Sequence, residues 1–210
     1  MRRFRNRAEA GRALAAQLVG YAGRDDVLVL GLPRGGVPVA AEVARALGAP
    51  LDVFLVRKLG VPGREELAFG AIASGGARVL NRDVVATLGI DAEAVEEVVA
   101  RERTELERRA AAYRGTAEPP DVRGRVVILV DDGLATGASM RAAVEAVRGL
   151  GPARVVVAVP VAAPQTCEEL APAVDEIVCL LTPEPFFAVG MWYADFSETT
   201  DDQVRALLRG

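Results

Sequence analysis

Short apolar runs alternate along the chain with longer segments in which apolar residues recur at helical spacing. This alternation is typical of an α/β domain with a largely parallel sheet, because each parallel strand is followed by a covering helix. The predicted strands are Val27–Leu30, Leu51–Val56, Val126–Val130, Val155–Val159 and Glu176–Leu180. The predicted helices lie near 5–19, 37–47, 91–113 and 138–150, with a last one opened by a capping box, Thr200 and Gln203.

Glycine and proline punctuate the segment between the second strand and the long helix. The stretch Lys58–Glu66 carries both residue types and is predicted to be an exposed loop. Gly75 and Gly76 separate Phe69–Ser74 from Arg78–Leu80, a pattern that predicts a hairpin turn.

The long helix is rich in charge. Asp91 stands at its predicted N-cap, and Glu97 and Glu105 each precede an arginine, Arg101 and Arg109, by four residues. Acid before base at this spacing stabilises an isolated helix. We therefore interpret this helix as scaffold.

Composition narrows the class of protein. The 210 residues, half of them hydrophobic, fit a single domain over 1–210. A net charge of −4 gives no reason to expect nucleic-acid binding, and no apolar run approaches a membrane span. No apolar signal core follows Met1, so we expect a cytoplasmic protein without membrane partners. Cys167 and Cys179 are too far apart for a paired-cysteine motif and are expected to be buried thiols.

Two features of the ionisable residues limit the chemistry. The chain has no histidine, which excludes histidine bases, histidine-containing triads and histidine-ligated zinc. It has 24 Arg but a single Lys, Lys58. Acid–base and electrostatic work therefore falls to carboxylates, arginines, tyrosines, backbone groups and this lysine.

The segment Arg125–Ser139 combines features of a sugar-phosphate site. A buried strand ends in two carboxylates, Asp131 and Asp132, and a loop of small residues then enters a helix. Ligands of open α/β sheets bind at such strand ends, and the backbone N–H groups of a helix start attract phosphate. Carboxylates for a sugar diol beside a phosphate cradle describe a ribose 5-phosphate site, although an ordinary strand-to-helix turn has the same outline.

This segment resembles the phosphoribosyl-pyrophosphate motif of the type I phosphoribosyltransferases. In that motif a hydrophobic strand is followed by two acids, two variable residues, a small residue, Thr-Gly, a small residue and Ser or Thr. Gly31–Gly36 resembles the family's pyrophosphate loop, and Arg57-Lys58 with Phe69-Gly70 resembles its catalytic loop. The resemblance implies a parallel-sheet core, a flexible catalytic loop and a small hood, contributed here by about 1–22 and 183–200.

The resemblance also implies roles for individual residues. Asp131 and Asp132 would bind the ribose hydroxyls, directly or through Mg2+, the expected cofactor. The 5-phosphate would be held by Ala135, Thr136, Gly137, Ala138 and Ser139, and the pyrophosphate by Arg34, Gly35 and Gly36. Lys58, with Arg57, would neutralise the leaving pyrophosphate as the loop closes. The implied reaction transfers phosphoribosyl from phosphoribosyl pyrophosphate to a base, as in nucleotide salvage, and the family expectation for assembly is a homodimer.

The acceptor base stays open. In 6-oxopurine enzymes an acid normally stands at the position of Ala135, which argues against hypoxanthine or guanine. The run 131–137 is closer to the adenine enzymes, but their loop carries Leu-Glu-Tyr-Gly where this chain has Leu67-Ala68-Phe69-Gly70. The orotate-type loop contains a histidine, which this chain lacks.

An alternative to the enzyme is a regulator that senses phosphoribosyl pyrophosphate without turnover, although Arg57 and Lys58 favour an enzyme.

Half of the ten aromatic residues lie between Phe186 and Phe196, in a segment predicted to be a loop. Phe186 and Trp192 are candidates to stack on the base, and the other interpretation is that they pack the loop onto the core.

Overall fold

The computed structural model describes residues 3–115 and 117–209; residues 1, 2, 116 and 210 and the side chains of Glu65 and Glu66 lie outside that description. The helices are α1 (Arg7–Ala15), α2 (Gly36–Leu47), α3 (Arg82–Thr87), α4 (Ala92–Arg114), α5 (Ala138–Gly149), α6 (Pro164–Leu170) and α7 (Asp201–Arg209). The strands are β1 (Val27–Gly31), β2 (Leu51–Val53), β3 (Val56–Val61), β4 (Arg64–Ala73), β5 (Arg78–Leu80), β6 (Val126–Val130), β7 (Arg154–Val161) and β8 (Glu176–Leu181).

The predicted parallel sheet is confirmed, with five strands in the order β2-β1-β6-β7-β8. Both faces of its central strands are covered, which is why they read as unbroken apolar runs. Leu28 and Leu30 pack with α5, whereas Val27 and Val29 pack with α1 and α2. The predicted strands and helices of this layer match the structure to within a few residues at their ends.

The strand order places a crevice between β1 and β6. The chain leaves β1 for β2 on one side and later returns to β6 on the other, so the connections diverge at the carboxyl ends of these two strands. Leu32 N–H donates to the Val130 carbonyl across the gap, at 2.9 Å. Ligands of doubly wound sheets bind at such a switch point.

The prediction of an exposed loop over Lys58–Glu66 is wrong for most of that segment. Strands β3 and β4 form an antiparallel hairpin there, and β5 extends it to a separate three-stranded sheet. Leu59 and Val61 point to one face, where they are buried with Phe69 against α4. The alternation of apolar side chains in β3 is short, and Gly60 and Pro62 interrupt it. In the sequence these turn-forming residues therefore outweigh the strand pattern. The predicted connection at Gly75-Gly76 between β4 and β5 is confirmed.

Caps fix several helix starts. Asp91 accepts a hydrogen bond from Ala94 N–H at 2.7 Å and confirms the predicted start of α4. The Thr200–Gln203 capping box is also confirmed, with bonds of 2.8 and 3.2 Å. Helix α3, opened by Asn81, is an element that the periodicity did not predict. The expectation of two thiols is wrong, because Cys167 of α6 and Cys179 of β8 are joined by a disulfide.

The segments predicted to form a hood lie side by side where they are described. Phe4 N–H donates to the Trp192 carbonyl at 2.9 Å, and Ala194 N–H donates to the Phe4 carbonyl at 2.8 Å. None of the helices in the described ranges is long and apolar enough to cross a membrane.

Candidate functional site

Asp131 stands at the carboxyl end of β6, on the crevice between the two strands. Its Oδ1 accepts a hydrogen bond from Asp132 N–H at 2.8 Å. Removal from water, and secondarily the charge of Asp132, raises the pKa of Asp131 well above its ordinary value. Such a carboxylate is poorly compensated by the protein, so it is ready to interact with a ligand hydroxyl or a cation.

Asp132 already has a cationic partner. Arg7, the first residue of α1, places Nε and Nη2 each 2.8 Å from Asp132 Oδ2. The same guanidinium donates through Nη1 to the Ser197 carbonyl at 2.7 Å and lies 4.1 Å from the Phe196 ring centroid. Tyr193 donates its hydroxyl to the Asp132 carbonyl at 2.6 Å. Removal from water raises the pKa of Asp132, and Arg7 opposes that rise.

The loop after β1 runs against both aspartates. A Cβ at Gly36 would lie 2.7 Å from the Val130 carbonyl oxygen and 2.8 Å from the Asp131 Cα. A Cβ at Gly35 would overlap the carboxylate of Asp132. Glycine at these two positions therefore lets the first loop approach the acidic pair.

We expect Gly35→Ala to lower both the stability of the protein and the stabilisation by phosphoribosyl pyrophosphate that the sequence resemblance implies, because the new methyl group displaces Asp132. Overpacking of this kind costs about 1–3 kcal/mol, which is several degrees of melting temperature in a domain of this size. Thermal melts with and without ligand measure both effects. Gly149→Ala is the matched control, since Gly149 lies in α5 with no atom near its added Cβ. Equal melting temperatures for the two variants would contradict the crowding argument.

The small-residue loop leads from the aspartates into α5. Ala135, Thr136 and Ser139 are not buried, and Gly137 has a positive φ of 67° at the N-cap. The N-cap Gly137 has no side chain to cap this helix start, and Ala138 N–H reaches only Thr136 Oγ1, at 3.5 Å, so the first N–H groups are directed out of the helix end. Thr166 of α6 donates its hydroxyl to the Ala135 carbonyl at 2.6 Å and fixes the loop from behind. This arrangement suits an oxyanion such as a phosphate.

A cavity of about 140 Å³ is enclosed by four parts of the chain: the loop after β1, the loop after β6, strand β3 and helix α4. Its polar lining residues are Arg57, Arg109, Asp131 and Ser139, and its apolar ones include Leu32, Phe54 and Leu106. The structure thus brings together three of the predicted site residues, Arg57, Asp131 and Ser139. It also shows that α4 is more than scaffold, because one of its faces forms a wall of the cavity.

Arg34 and Lys58 do not line this cavity. Arg34, which follows a cis peptide bond, forms an ion pair with Glu198 and lies 3.8 Å from Asp201 at the start of α7. Lys58 is exposed and faces the opposite side of β3 from Arg57, because successive strand side chains alternate. It borders a larger cavity with Asn81, Ala138 and Arg141, so it is next to the predicted phosphate loop without facing Asp131.

The aromatic segment packs against α1 and the end of β7. Phe186 and Trp192 contact a cluster formed by Ala10, Val161 and Tyr193, and neither lines the cavity that contains Asp131. The stretch from 186 to 196 is irregular except for a short 3-10 turn at Val189–Trp192, as its loop-like composition predicts. These contacts fit the packing interpretation, and stacking on a base stays a prediction.

Three residues near the site were not predicted from sequence. Nothing in the local pattern marks Arg7, because its partner is 125 residues away. Glu102 and Arg109 did carry a signal: with Leu106 they follow helical spacing and share one face of α4. The other charged pairs of α4 obscured the shared face of Glu102, Leu106 and Arg109 in the sequence.

Comparison with known proteins is consistent with this arrangement. Residues 3–193 match the family model described as "Phosphoribosyl transferase domain", and the chain belongs to that family. A Mycobacterium tuberculosis protein called "Putative phosphoribosyl transferase" is 50% identical over 208 residues, which cover 99% of this chain and 47% of the relative. The chain therefore spans about half the length of that curated relative.

Two further similarities differ in extent. The crystal structure of TT1426 from Thermus thermophilus superposes with a TM-score of 0.88 and 50% identity, covering 99% of this chain and 98% of that one. A "Bifunctional protein PyrR" from Chloroflexus aurantiacus is 36% identical over 129 residues, which cover 60% of this chain and 65% of the relative. The first similarity extends over the whole α/β fold described above.

Proposed function

We propose that this protein transfers the 5-phosphoribosyl group from phosphoribosyl pyrophosphate to a nitrogenous base and releases pyrophosphate. The observation that carries the proposal is the position of the segment Val126–Ser139. Its acidic pair and its open phosphate loop stand at the switch point of a parallel sheet, beside a cavity that Arg57 lines. Family membership supports the same reaction class.

The chemistry is displacement at the anomeric carbon. The bond from the anomeric carbon to the pyrophosphate oxygen breaks as a bond to the base nitrogen forms, so positive charge develops on the ribose ring and negative charge on the departing pyrophosphate. The proton of the base nitrogen is released to solvent. Asp131 and Asp132 accept hydrogen bonds from the ribose hydroxyls, and residues 135–139 hold the 5-phosphate. No nucleophilic side chain is required, which agrees with a chain that has no histidine. Electrostatic complementarity to the separating charges supplies the catalysis.

Cations near the leaving group complete the proposal. Arg57 already lines the cavity, whereas Arg34 is engaged by Glu198 and Lys58 faces away from Asp131. We propose that Arg34 exchanges Glu198 for pyrophosphate, and that Lys58 acts after the β3–β4 hairpin moves over the substrate. Closure of this kind excludes water that would otherwise capture the ribosyl group.

Magnesium fits the donor set as an ion shared with the substrate. Among the described residues no group of three potential ligands is close enough to hold a metal ion. Mg2+ keeps several waters and is commonly held by one or two carboxylates together with substrate phosphates. Asp131 and Asp132 would hold it in this way, and the ion would supply neutralisation of the pyrophosphate charge.

Trp192 offers a direct test of stacking. It is the single tryptophan of the chain, so protein fluorescence excited selectively at tryptophan reports on this position alone. If its ring stacks on the base, a nucleoside monophosphate changes the emission and ribose 5-phosphate changes it little. Equal responses to the two ligands would instead favour Trp192 as a packing residue of the hood.

The proposed reaction is tested by measuring pyrophosphate release from phosphoribosyl pyrophosphate and magnesium across purines, pyrimidines and other nitrogen acceptors. The expected result is release that depends on one class of acceptor, which also identifies the base. Binding without release for every acceptor would favour the regulator that senses phosphoribosyl pyrophosphate. Absence of both binding and release would overturn the proposal.

A further inference from the structure

Glu102 is a buried charged residue, with 9% of its surface exposed. It lies in the middle of α4, and the reaction outlined above gives it no role. Burying a carboxylate costs free energy unless it is paired and hydrogen-bonded. The partners of the Glu102 carboxylate must therefore compensate its charge.

The main partner is Arg57. Nε and Nη2 of Arg57 lie 2.8 and 2.5 Å from the same oxygen, Oε2, of Glu102. The other oxygen, Oε1, accepts from Arg101 Nε at 3.2 Å. Glu102 thus binds one edge of the Arg57 guanidinium, and in the described part of the chain Nη1 of Arg57 makes no hydrogen bond.

The carboxylate is held by a rigid support. Helix α4 is anchored by the Asp91 cap at its start, and Val95, Val98 and Leu106 pack against the hairpin from the same helix. A side chain on a long packed helix keeps its position better than one on a loop. Arg57, on β3, is fixed through this contact at the wall of the cavity that Asp131 and Ser139 also line.

We propose that Glu102 is a positioning residue: it holds the Arg57 guanidinium so that its free N–H edge binds the pyrophosphate oxygens of the ligand. The inference deepens the proposed function and rests on it. Arginine carries substantial rotamer entropy, and fixing it before the ligand arrives removes that cost from binding. Arg101 also donates to Glu102, so the carboxylate stays compensated while the free edge of the held Arg57 faces an anion.

The chain contains a natural comparison for a purely structural role. Glu96 of α4 pairs with Arg78 of β5 through contacts of 2.7 and 3.0 Å, and so ties the same helix to the same small sheet. Neither residue lines the cavity. If ion pairs between α4 and the sheet serve only to hold the hairpin, loss of either pair has the same consequence for ligand binding.

The test is calorimetric binding of inorganic pyrophosphate and, separately, ribose 5-phosphate to the full chain. Glu102→Gln is expected to weaken pyrophosphate binding by about tenfold, the effect of losing a charge-assisted contact, and to leave ribose 5-phosphate binding unchanged. Glu96→Gln is expected to change neither. In an Arg57→Gln background, adding Glu102→Gln is expected to have no further effect, because the two residues act through one contact.

Four outcomes overturn the inference: normal pyrophosphate binding by Glu102→Gln, equal losses in Glu102→Gln and Glu96→Gln, additive losses in the double variant, or no pyrophosphate binding by the wild type. If Glu102→Gln does not fold, Glu102→Asp keeps the charge but withdraws the carboxylate, and the same tenfold loss is expected. Acceptor-dependent turnover of the wild type is measured in parallel. The proposed function stands if that turnover is present while Glu102→Gln binds pyrophosphate normally, and in that case the positioning role alone fails.

Discussion

Replacing Asp131 by Asn is expected to raise the melting temperature of the ligand-free protein and to remove most of the stabilisation by phosphoribosyl pyrophosphate with magnesium. The two effects have one cause. Removal from water and the neighbouring Asp132 raise the pKa of Asp131, so its ionised form costs folding free energy. Asn retains an oxygen for the Asp132 N–H and lacks the charge. A ligand that binds the native state raises its melting temperature, and each lost charge-assisted hydrogen bond weakens that effect by about 1.5–3 kcal/mol.

The gain in ligand-free stability has a defined pH dependence. A carboxyl group with a raised pKa binds more protons in the folded state, so stability falls as pH rises from the unfolded pKa through the folded one. The amide that replaces the carboxyl group does not titrate. The advantage of Asp131→Asn over wild type is therefore expected to be smallest in acid, to grow as the pH rises from the unfolded pKa to the raised folded pKa, and to level off above it.

Thermal melts over a pH series, with and without ligand, measure both effects. Asp25→Asn serves as the control, because Asp25 is an exposed carboxylate in the turn before β1. Asp132→Asn is a separate comparison, since it also removes the partner of Arg7. An unchanged ligand-induced shift in Asp131→Asn would defeat the assignment of the acidic pair to the sugar.

Lys58→Ala is expected to lower the turnover rate about a hundredfold, with far less change in substrate binding. That size is expected for losing one electrostatic contact to charge that develops in the transition state. Because Lys58 faces away from Asp131 in this structure, the contact forms only if the hairpin moves. Lys58→Arg is expected to rescue turnover in part, since a planar guanidinium does not replace a compact ammonium.

Single-turnover kinetics of wild type, Lys58→Ala and Lys58→Arg test this expectation. They use the acceptor that the pyrophosphate-release assay identifies. Arg64→Ala is a suitable control, because Arg64 is an exposed cation on the same hairpin. Near-normal turnover in Lys58→Ala would end the catalytic proposal for this residue. It would also leave Arg57 as the cation of the hairpin that serves the leaving group.

Hydrophobic burial explains which parts of the fold could be predicted from sequence. Strand β6 was predicted to the residue because both of its faces are covered and every position is apolar. The strand Leu51–Val56 was too long, since the chain leaves the large sheet after Val53 and enters the hairpin at Val56. Apolar character continues through that change of sheet, so composition does not reveal it.

The candidate site residues also fall into two groups, those that are neighbours in sequence and those that only the fold brings together. The acidic pair and the loop of small residues after it are contiguous in sequence, and the structure keeps them contiguous at one strand end. The ion pairs Arg34–Glu198, Arg57–Glu102 and Arg7–Asp132 join distant segments, and no local pattern encodes them. Sequence therefore indicated which acidic and loop residues lie together at the strand end, and it did not indicate the partners that hold the arginines.

If Asp132 binds the ligand as proposed, its contact with Arg7 couples ligand binding to the segments that contain α1 and Ser197. The guanidinium joins α1, the Asp132 carboxylate and the Ser197 carbonyl in one group. A ligand that draws Asp132 away from Arg7 changes the free energy with which both terminal segments dock on the core. By thermodynamic reciprocity, any partner or covalent extension that shifts that docking changes affinity for the ligand by the same factor.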